Sequence, residues 1–232
     1  EFDASGAFTR FEDTAADKGL YVTVPELGAE FTLGGAVFEF VGPVSDWGDD
    51  LNDSSLVLRL EYGETAFLFT GDISAGALED CALIGGFDLG CDVLKLGHHG
   101  SSTSTDAEVL DLTHPSLAIA SCGAGNSYGH PHDETMSRLR DADVTVYRTD
   151  LQGHVVCTSD GTGLTFTTQK NQDADTNPGE AEGAGIYIGN KNSQVFHRPD
   201  CTGLPAGQNQ VVFDSRVEAV AAGYTPCGRC KP

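Results

Sequence analysis

Phe67-Leu68-Phe69-Thr70-Gly71-Asp72 and Asp92-Val93-Leu94-Lys95-Leu96-Gly97-His98-His99-Gly100-Ser101 are the two runs on which the reading of this chain turns. Each is an apolar run of strand length that stops at a glycine beside an ionisable residue, as a buried strand does on reaching a sheet edge. One run delivers a carboxylate and the other a pair of imidazoles. Buried parallel strands ordinarily end in loops of unremarkable polarity, whereas Asp72 and His98-His99 are the residue types that hold zinc, iron or manganese. A third apolar stretch, residues 116–121, leads into Asn126-Ser127-Tyr128-Gly129-His130-Pro131-His132, again with imidazoles at its tip. Three strand ends converging on one edge would make a metallohydrolase site. Asp72 would bridge two metals there, with an imidazole of the His98/His99 pair and His130 completing or flanking the coordination. A divalent ion so held acidifies bound water, and a pair of them clamps the attacking and leaving oxygens of a phosphodiester.

Upstream of these runs the chain reads as an antiparallel meander. Residues 20–24 are short and β-branched, residues 30–33 turn at Gly34-Gly35 into 36–41, and residues 55–62 turn at Gly63-Glu64 into 65–70. Before them, residues 8–18 predict a helix stopped by Gly19. Downstream, strand and helix alternate. Ser74 is the expected cap of a helix to about Leu83, Ser104 or Thr105 that of a helix from Asp106 to Leu112, and residues 133–141 predict a third. Residues 145–149 are expected to pair with 154–158 across Asp150-Leu151-Gln152-Gly153, with 164–167 as the last strand. A meander followed by β/α units predicts an α/β layer sandwich over residues 1–168. Residues 169–185 lack apolar periodicity and predict a flexible linker, which leaves a compact module at 186–232.

Other polar residues of the first domain carry plainer readings beside the chemical ones. His132 caps the following helix or bonds a neighbour, and His114 and His154 are surface or packing residues. Ser101 and Ser102 read as phosphate-contacting hydroxyls or as loop residues, Ser104 as a cap. Lys95 either offsets phosphate charge or buries its stem against a helix. Cys81 and Cys91 bracket a short loop and are either a disulfide or two thiols, so the cysteines leave the compartment open.

In the module, His197-Arg198-Pro199-Asp200-Cys201 and Cys227-Gly228-Arg229-Cys230 supply His-x3-Cys and Cys-x2-Cys, four ligands of the kind that close a tetrahedral zinc site. Only three cysteines lie here, which excludes two disulfides. A helix from Ser215 to Gly223 carries the chain between the ligand pairs, and so small a core is expected to fold only with its structural zinc.

The bulk composition narrows the class further. The 232 residues, 39% hydrophobic, suffice for one substantial domain and a small module. Against 13 Lys and Arg stand 35 Asp and Glu, a net charge of −22 spread along the chain, which points to a surface adapted to high salt. That charge repels nucleic acid at low ionic strength, and salt shortens the range of the repulsion. No run is long and apolar enough to span a bilayer, and no signal peptide is visible. The chain opens at Glu1 and its single Met is Met136, which reads as the inside of a longer protein or a processed product.

Thr70-Gly71-Asp72, Leu96-Gly97-His98-His99-Gly100-Ser101, Tyr128-Gly129-His130-Pro131-His132 and Tyr147-Arg148-Thr149-Asp150 with Gly153 together resemble the metallo-β-lactamase-fold hydrolase domain of ComEC-type competence proteins, from about Gly19 to Phe166. The resemblance implies a partial αββα sandwich with Asp72 as bridging aspartate, His98 and His99 in the active site, His130 at the last ligand position, and one or two divalent metals, zinc or manganese. It also implies a phosphodiesterase or nuclease acting on DNA. One motif is missing: the family's His-x-(His/Asp)-x-Asp-His run belongs before the first helix, yet residues 1–65 contain no histidine. The expectation is a chain cut just after that motif and inactive alone. Alternatives are a non-catalytic nucleic-acid- or partner-binding protein, and a lactonase or thioesterase on the same fold. Residues 195–231 resemble the zinc-binding domain of Ada-type DNA repair proteins, except that His197 stands where that family has cysteine. That departure argues against methyl transfer and for a structural zinc. Arg198, Arg216, Arg229, Lys191 and Lys231 make this end the more basic one, a docking surface for phosphates or a plain solvated surface. Resemblance and acidity together point to secretion from a salt-adapted organism.

Overall fold

Seven strands form one sheet in chain order: β1 (Glu30–Leu33), β2 (Ala36–Gly42), β3 (Val57–Tyr62), β4 (Thr65–Phe69), β5 (Val93–Lys95), β6 (Leu117–Ala120) and β7 (Thr145–Arg148). The first four run antiparallel and the last three are added in parallel beside β4. The computed structural model describes residues 6–177, 186–199, 201–213 and 216–230. It falls into two compact units, Glu1–Asn177 and Pro178–Pro232.

One face of the sheet is closed by α2 (Ala75–Leu83), α3 (Ala107–Thr113) and α4 (Asp133–Asp141). Alternation in the strands sets Leu68, Leu94, Ala118 and Val146 on this face, where they form a single buried cluster with Leu78, Cys81, Val109, Leu110, Met136 and Leu139. Cys81 and Cys91 are buried free thiols of this core, so the thiol reading of the pair holds. Ser74 caps α2 as expected, its Oγ accepting from the Ala77 N–H. The cap of α3 is instead Asp106, whose carboxylate accepts from the Val109 N–H at 3.0 Å. Ser104 and Thr105 are buried, and among the described residues their hydroxyls have no hydrogen-bond partner.

The opposite face is apolar and only partly covered. Register places Phe31, Phe38, Phe40, Leu58, Leu60, Phe67 and Phe69 side by side across β1 to β4. Leu33 remains 70% exposed, Phe31 45% and Phe69 41%, well above the few per cent of the helix-side core. A two-stranded antiparallel sheet, β8 (Val155–Ser159) with β9 (Leu164–Thr168), lies over one end of this face. There Phe166 stacks on Tyr147 at 4.4 Å, and Ser159 and Thr65 share a hydroxyl hydrogen bond of 2.7 Å. Helices, large sheet and small sheet make a partial α/β sandwich.

Four further expectations need correction. Residues 145–149 and 154–158 do not pair. β7 is taken up in parallel beside β6, α5 (Thr149–Gln152) follows it directly, and β8 pairs with β9 instead. Residues 20–24 are exposed, and among the described residues they join no ladder and form no strand. Lys95 lies beside Phe69 and Ile119 on the face away from the helices, so its stem does not pack on a helix. The expected linker also starts late. Thr176 donates from Oγ1 to the Val146 carbonyl, Asn177 donates to the Met136 carbonyl at 3.0 Å, and Arg140 donates to Asn177 at 2.7 Å, tying residues 170–177 to the first unit. The remaining expected linker, 178–185, lies outside the described residues. The N-terminal helix forms as α1 (Ala7–Asp17).

In the second unit β10 (Tyr187–Asn190), β11 (Val195–His197), β12 (Gln210–Phe213) and β13 (Thr225–Pro226) form a sheet in the order β12-β10-β11-β13. With α6 (Arg216–Ala221) they enclose Phe196, Phe213 and Ala219. The expected helix start at Ser215, together with Asp200 and Lys231, lies outside the described residues.

Candidate metal centres

The C-terminal ends of β4, β5 and β6 lie side by side, and the loops leaving them carry Asp72, His98-His99 and, after the longest loop, His130. Gly71 makes the turn after β4 at φ +56, and a side chain there would collide with Ser55, whose Oγ accepts the Asp72 N–H at 3.0 Å. The next loop is bonded to the first, since the His98 N–H donates to the Gly71 carbonyl at 3.0 Å. His98 (φ 45) and His99 (φ 60) are both left-handed, a conformation costing roughly 1–2 kcal/mol per non-glycine residue. Successive strained residues persist only where their surroundings over-determine them, and here they turn both imidazoles out of the sheet edge.

The side chains meet. His99 Nε2 is 3.6 Å from Asp72 Oδ1. The His130 ring lies 5.4 Å from that of His98 and 6.1 Å from that of His99. His99 Nδ1 is 2.7 Å from the Ser121 carbonyl oxygen at the end of β6. A carbonyl only accepts, so Nδ1 carries a proton, and in the singly protonated ring Nε2 turns its lone pair to Asp72. Such a pair is satisfied by a proton on Nε2 or by a metal cation, and the orienting carbonyl is the usual second partner of a metal-bound histidine. His130 is held below the ordinary imidazole pKa by burial first and then by its neighbours His132, His98 and His99. That shift favours the neutral ring, the form that ligates a metal.

His132 is engaged at both ring nitrogens. Its Nε2 lies 3.1 Å from the Tyr128 carbonyl oxygen, so Nε2 holds the proton. Its Nδ1 accepts from the Ser102 N–H at 3.0 Å and contacts the Ser102 hydroxyl at 3.1 Å. It fastens two loops together and has no lone pair to spare, in line with the neighbour-bonding reading. Ser102 is committed to that bond, while Ser101 and Thr103 share a hydroxyl contact of 3.0 Å. His114 ends α3 in a left-handed conformation, and His154, beside β8, is exposed. Lys95 donates from Nζ to the Leu96 carbonyl at 2.8 Å. Burial lowers its pKa, and the nearby Asp72 opposes that shift. Sequence reasoning missed two supports, the Ser121 carbonyl that orients His99 and the Asn126 side chain that closes the His130 loop. The first is backbone and leaves no residue signature, whereas the second had one in the Asn-x3-His spacing.

The second centre is tighter. The ligand atoms of His197, Cys201, Cys227 and Cys230 all lie within 4.8 Å of one another, which Asp72 and the histidines around it do not match among the described residues. His197 Nδ1 is 3.4 Å from Cys201 Sγ. Each sulfur also accepts a backbone N–H: Gly203 to Cys201 and Arg229 to Cys227 at 3.4 Å, Arg198 to Cys230 at 3.5 Å. Backbone donors aimed at three sulfurs stabilise thiolates, and with one imidazole they fit a tetrahedral structural zinc. The N–H groups of Cys230 and Arg229 also draw the Cys227 thiol below its ordinary pKa.

Comparison with known proteins divides the chain the same way. Residues 175–232 match the family model of the metal binding domain of Ada. The chain is similar to Competence protein ComA of Neisseria gonorrhoeae, 40% identical over 119 residues, covering 51% of this chain and 17% of that protein. ComE operon protein 3 of Bacillus subtilis is 31% identical over 141 residues, covering 61% and 18%. Recombination protein 2 of Haemophilus influenzae is 33% identical over 135 residues, covering 58% and 17%. The chain thus spans less than a fifth of the length of these relatives. It joins a segment of ComEC type to an Ada-like zinc module, and among the described residues no helix is long and apolar enough to cross a membrane.

Proposed function

We propose that the first unit carries part of a metal-dependent phosphodiesterase site that acts on DNA, and that the zinc module helps engage the same substrate. The observation that supports this reading most is the approach of His99 Nε2 to Asp72 Oδ1 at 3.6 Å, with the His130 ring 6.1 Å from that of His99. Asp72, His99 and His130, with His98 at their side, are the residues that would hold one or two divalent ions, zinc or manganese. A bound ion would supply an acidified water and charge for the phosphate oxygens. The chain's own residues orient the imidazoles through Ser121 and Asn126 and clamp the loops through His132. The names of the relatives, competence and recombination proteins, support DNA as the polymer handled.

The test is hydrolysis of DNA and of a simple phosphodiester in Mn2+ or Zn2+, using the polypeptide with any residues encoded upstream of Glu1 included. Asp72→Ala should lower the rate by at least about 100-fold, the order lost with a direct metal ligand's charge. An unchanged rate would sink the proposal. A second reading, a DNA-binding protein in which only the zinc module works, draws support from one contrast: the module offers a closed set of four ligand atoms, and residues 1–65 bring no histidine to the other centre. DNA binding without hydrolysis that survives Asp72→Ala and is lost when the module's zinc is removed would favour it.

A further inference from the structure

Tyr128 is 77% exposed, yet its surroundings hold it firmly. Its carbonyl is bonded to His132 Nε2 at 3.1 Å, and Gly129 turns the chain directly after it at φ +77. Asn126 closes the loop around it, donating from Nδ2 to the His130 carbonyl at 2.6 Å and to the Gly123 carbonyl at 2.9 Å, while Oδ1 accepts the His130 N–H at 3.0 Å. The Tyr128 ring lies nearly parallel to the His130 imidazole, with 5.7 Å between centroids and 18° between planes. One face is turned to an imidazole of the candidate centre, and the ring as a whole is open to solvent.

A rigid aromatic ring presented in this way beside a phosphodiester site has an evident use. We propose that Tyr128 is a base-stacking platform, on which the nucleobase next to the scissile phosphate of a single-stranded polynucleotide rests. This rests on the phosphodiesterase reading and names the substrate form within it. Stacking suits a chain of net charge −22, because long-range attraction for phosphates is not available to it and stacking does not weaken as salt rises. Every base has a π face, so the platform selects unpaired strand over duplex without selecting sequence. With His130 on one side of the ring, a single base is accommodated.

The test compares binding of a fluorescent oligothymidylate with an abasic oligomer of equal length and phosphate count, on the full chain with Zn2+ and Mn2+ at high salt. Wild type should prefer the base-bearing oligomer by about tenfold, the order that one base–aromatic stack supplies. Tyr128→Trp and Tyr128→Phe should keep the preference and Tyr128→Leu should erase it. In a matching oligomer carrying 2-aminopurine, quenching of the base should appear with wild type and vanish with Tyr128→Leu. Equal binding of both oligomers by wild type, or an undiminished preference in Tyr128→Leu, overturns the stacking role alone. If neither oligomer binds, the DNA reading beneath it falls as well.

Discussion

His99 and His132 show how one residue type is sorted into different jobs by what its second nitrogen meets. In His99 the Ser121 carbonyl takes the Nδ1 proton and leaves Nε2 free beside Asp72, whereas in His132 both nitrogens are spent on Ser102 and Tyr128. The consequence is opposite mutant behaviour. His132→Ala leaves the Ser102 N–H unpaired and should lower the urea unfolding free energy by about 1–3 kcal/mol. His99→Ala, at a side chain 48% exposed, should leave it within about 0.5 kcal/mol while removing metal affinity. Equal destabilisation by the two would contradict this division. The strand-end pattern made Asp72, His98, His99 and His130 legible as neighbouring candidates, because a glycine and an ionisable residue after an apolar run are local signals. The sorting was not legible, since it depends on backbone carbonyls brought close only by folding. Ser104 misled for a related reason: its side chain is buried against Gly97, and the nearby Asp106 takes the cap.

Among the elements, the sheet is the one whose two faces behave differently. The helix-facing side is sealed, and its strands were legible as apolar runs of 2-residue or continuous pattern. The other side carries the same kind of run, Phe31, Phe38, Phe40, Leu58, Leu60, Phe67 and Phe69, and among the described residues β8 and β9 cover one end of it. Nothing in a strand's own sequence says whether a second layer covers it, which is why the exposure was invisible beforehand. The failed pairing of 145–149 with 154–158 has the same root: turn spacing suggested a hairpin, but β6 offered β7 a parallel edge and won. An apolar face this open should drive self-association. The substitution Leu33→Thr should reduce the oligomer fraction in sedimentation velocity and leave thermal stability nearly unchanged, because that side chain, 70% exposed, is already largely in water. A wild-type chain that sediments as a monomer would contradict the expectation.

Over the whole molecule two units depend on metal to different degrees. Phe196, Phe213 and Ala219 are too small a core to hold the second unit without the ion that His197, Cys201, Cys227 and Cys230 are arranged to bind. Chelation should therefore unfold the second unit and leave the first folded, seen by NMR as collapse of the amide shifts of residues 186–230 alone. Simultaneous loss of both units, or of neither, would show the zinc role to be wrong. This division was legible from cysteine and histidine spacing, although the boundary sits later than composition suggested because Thr176 and Asn177 bond to the first unit. Everything proposed about function depends on a divalent ion preferring the edge where β4, β5 and β6 end. With the module's zinc in place, Mn2+ titration followed by imidazole NMR tests that preference directly. The ring signals of His98, His99 and His130 should broaden before those of His114 and His154, and Asp72→Ala should abolish the selectivity. Uniform broadening of all five, or the same selectivity without Asp72, would contradict it.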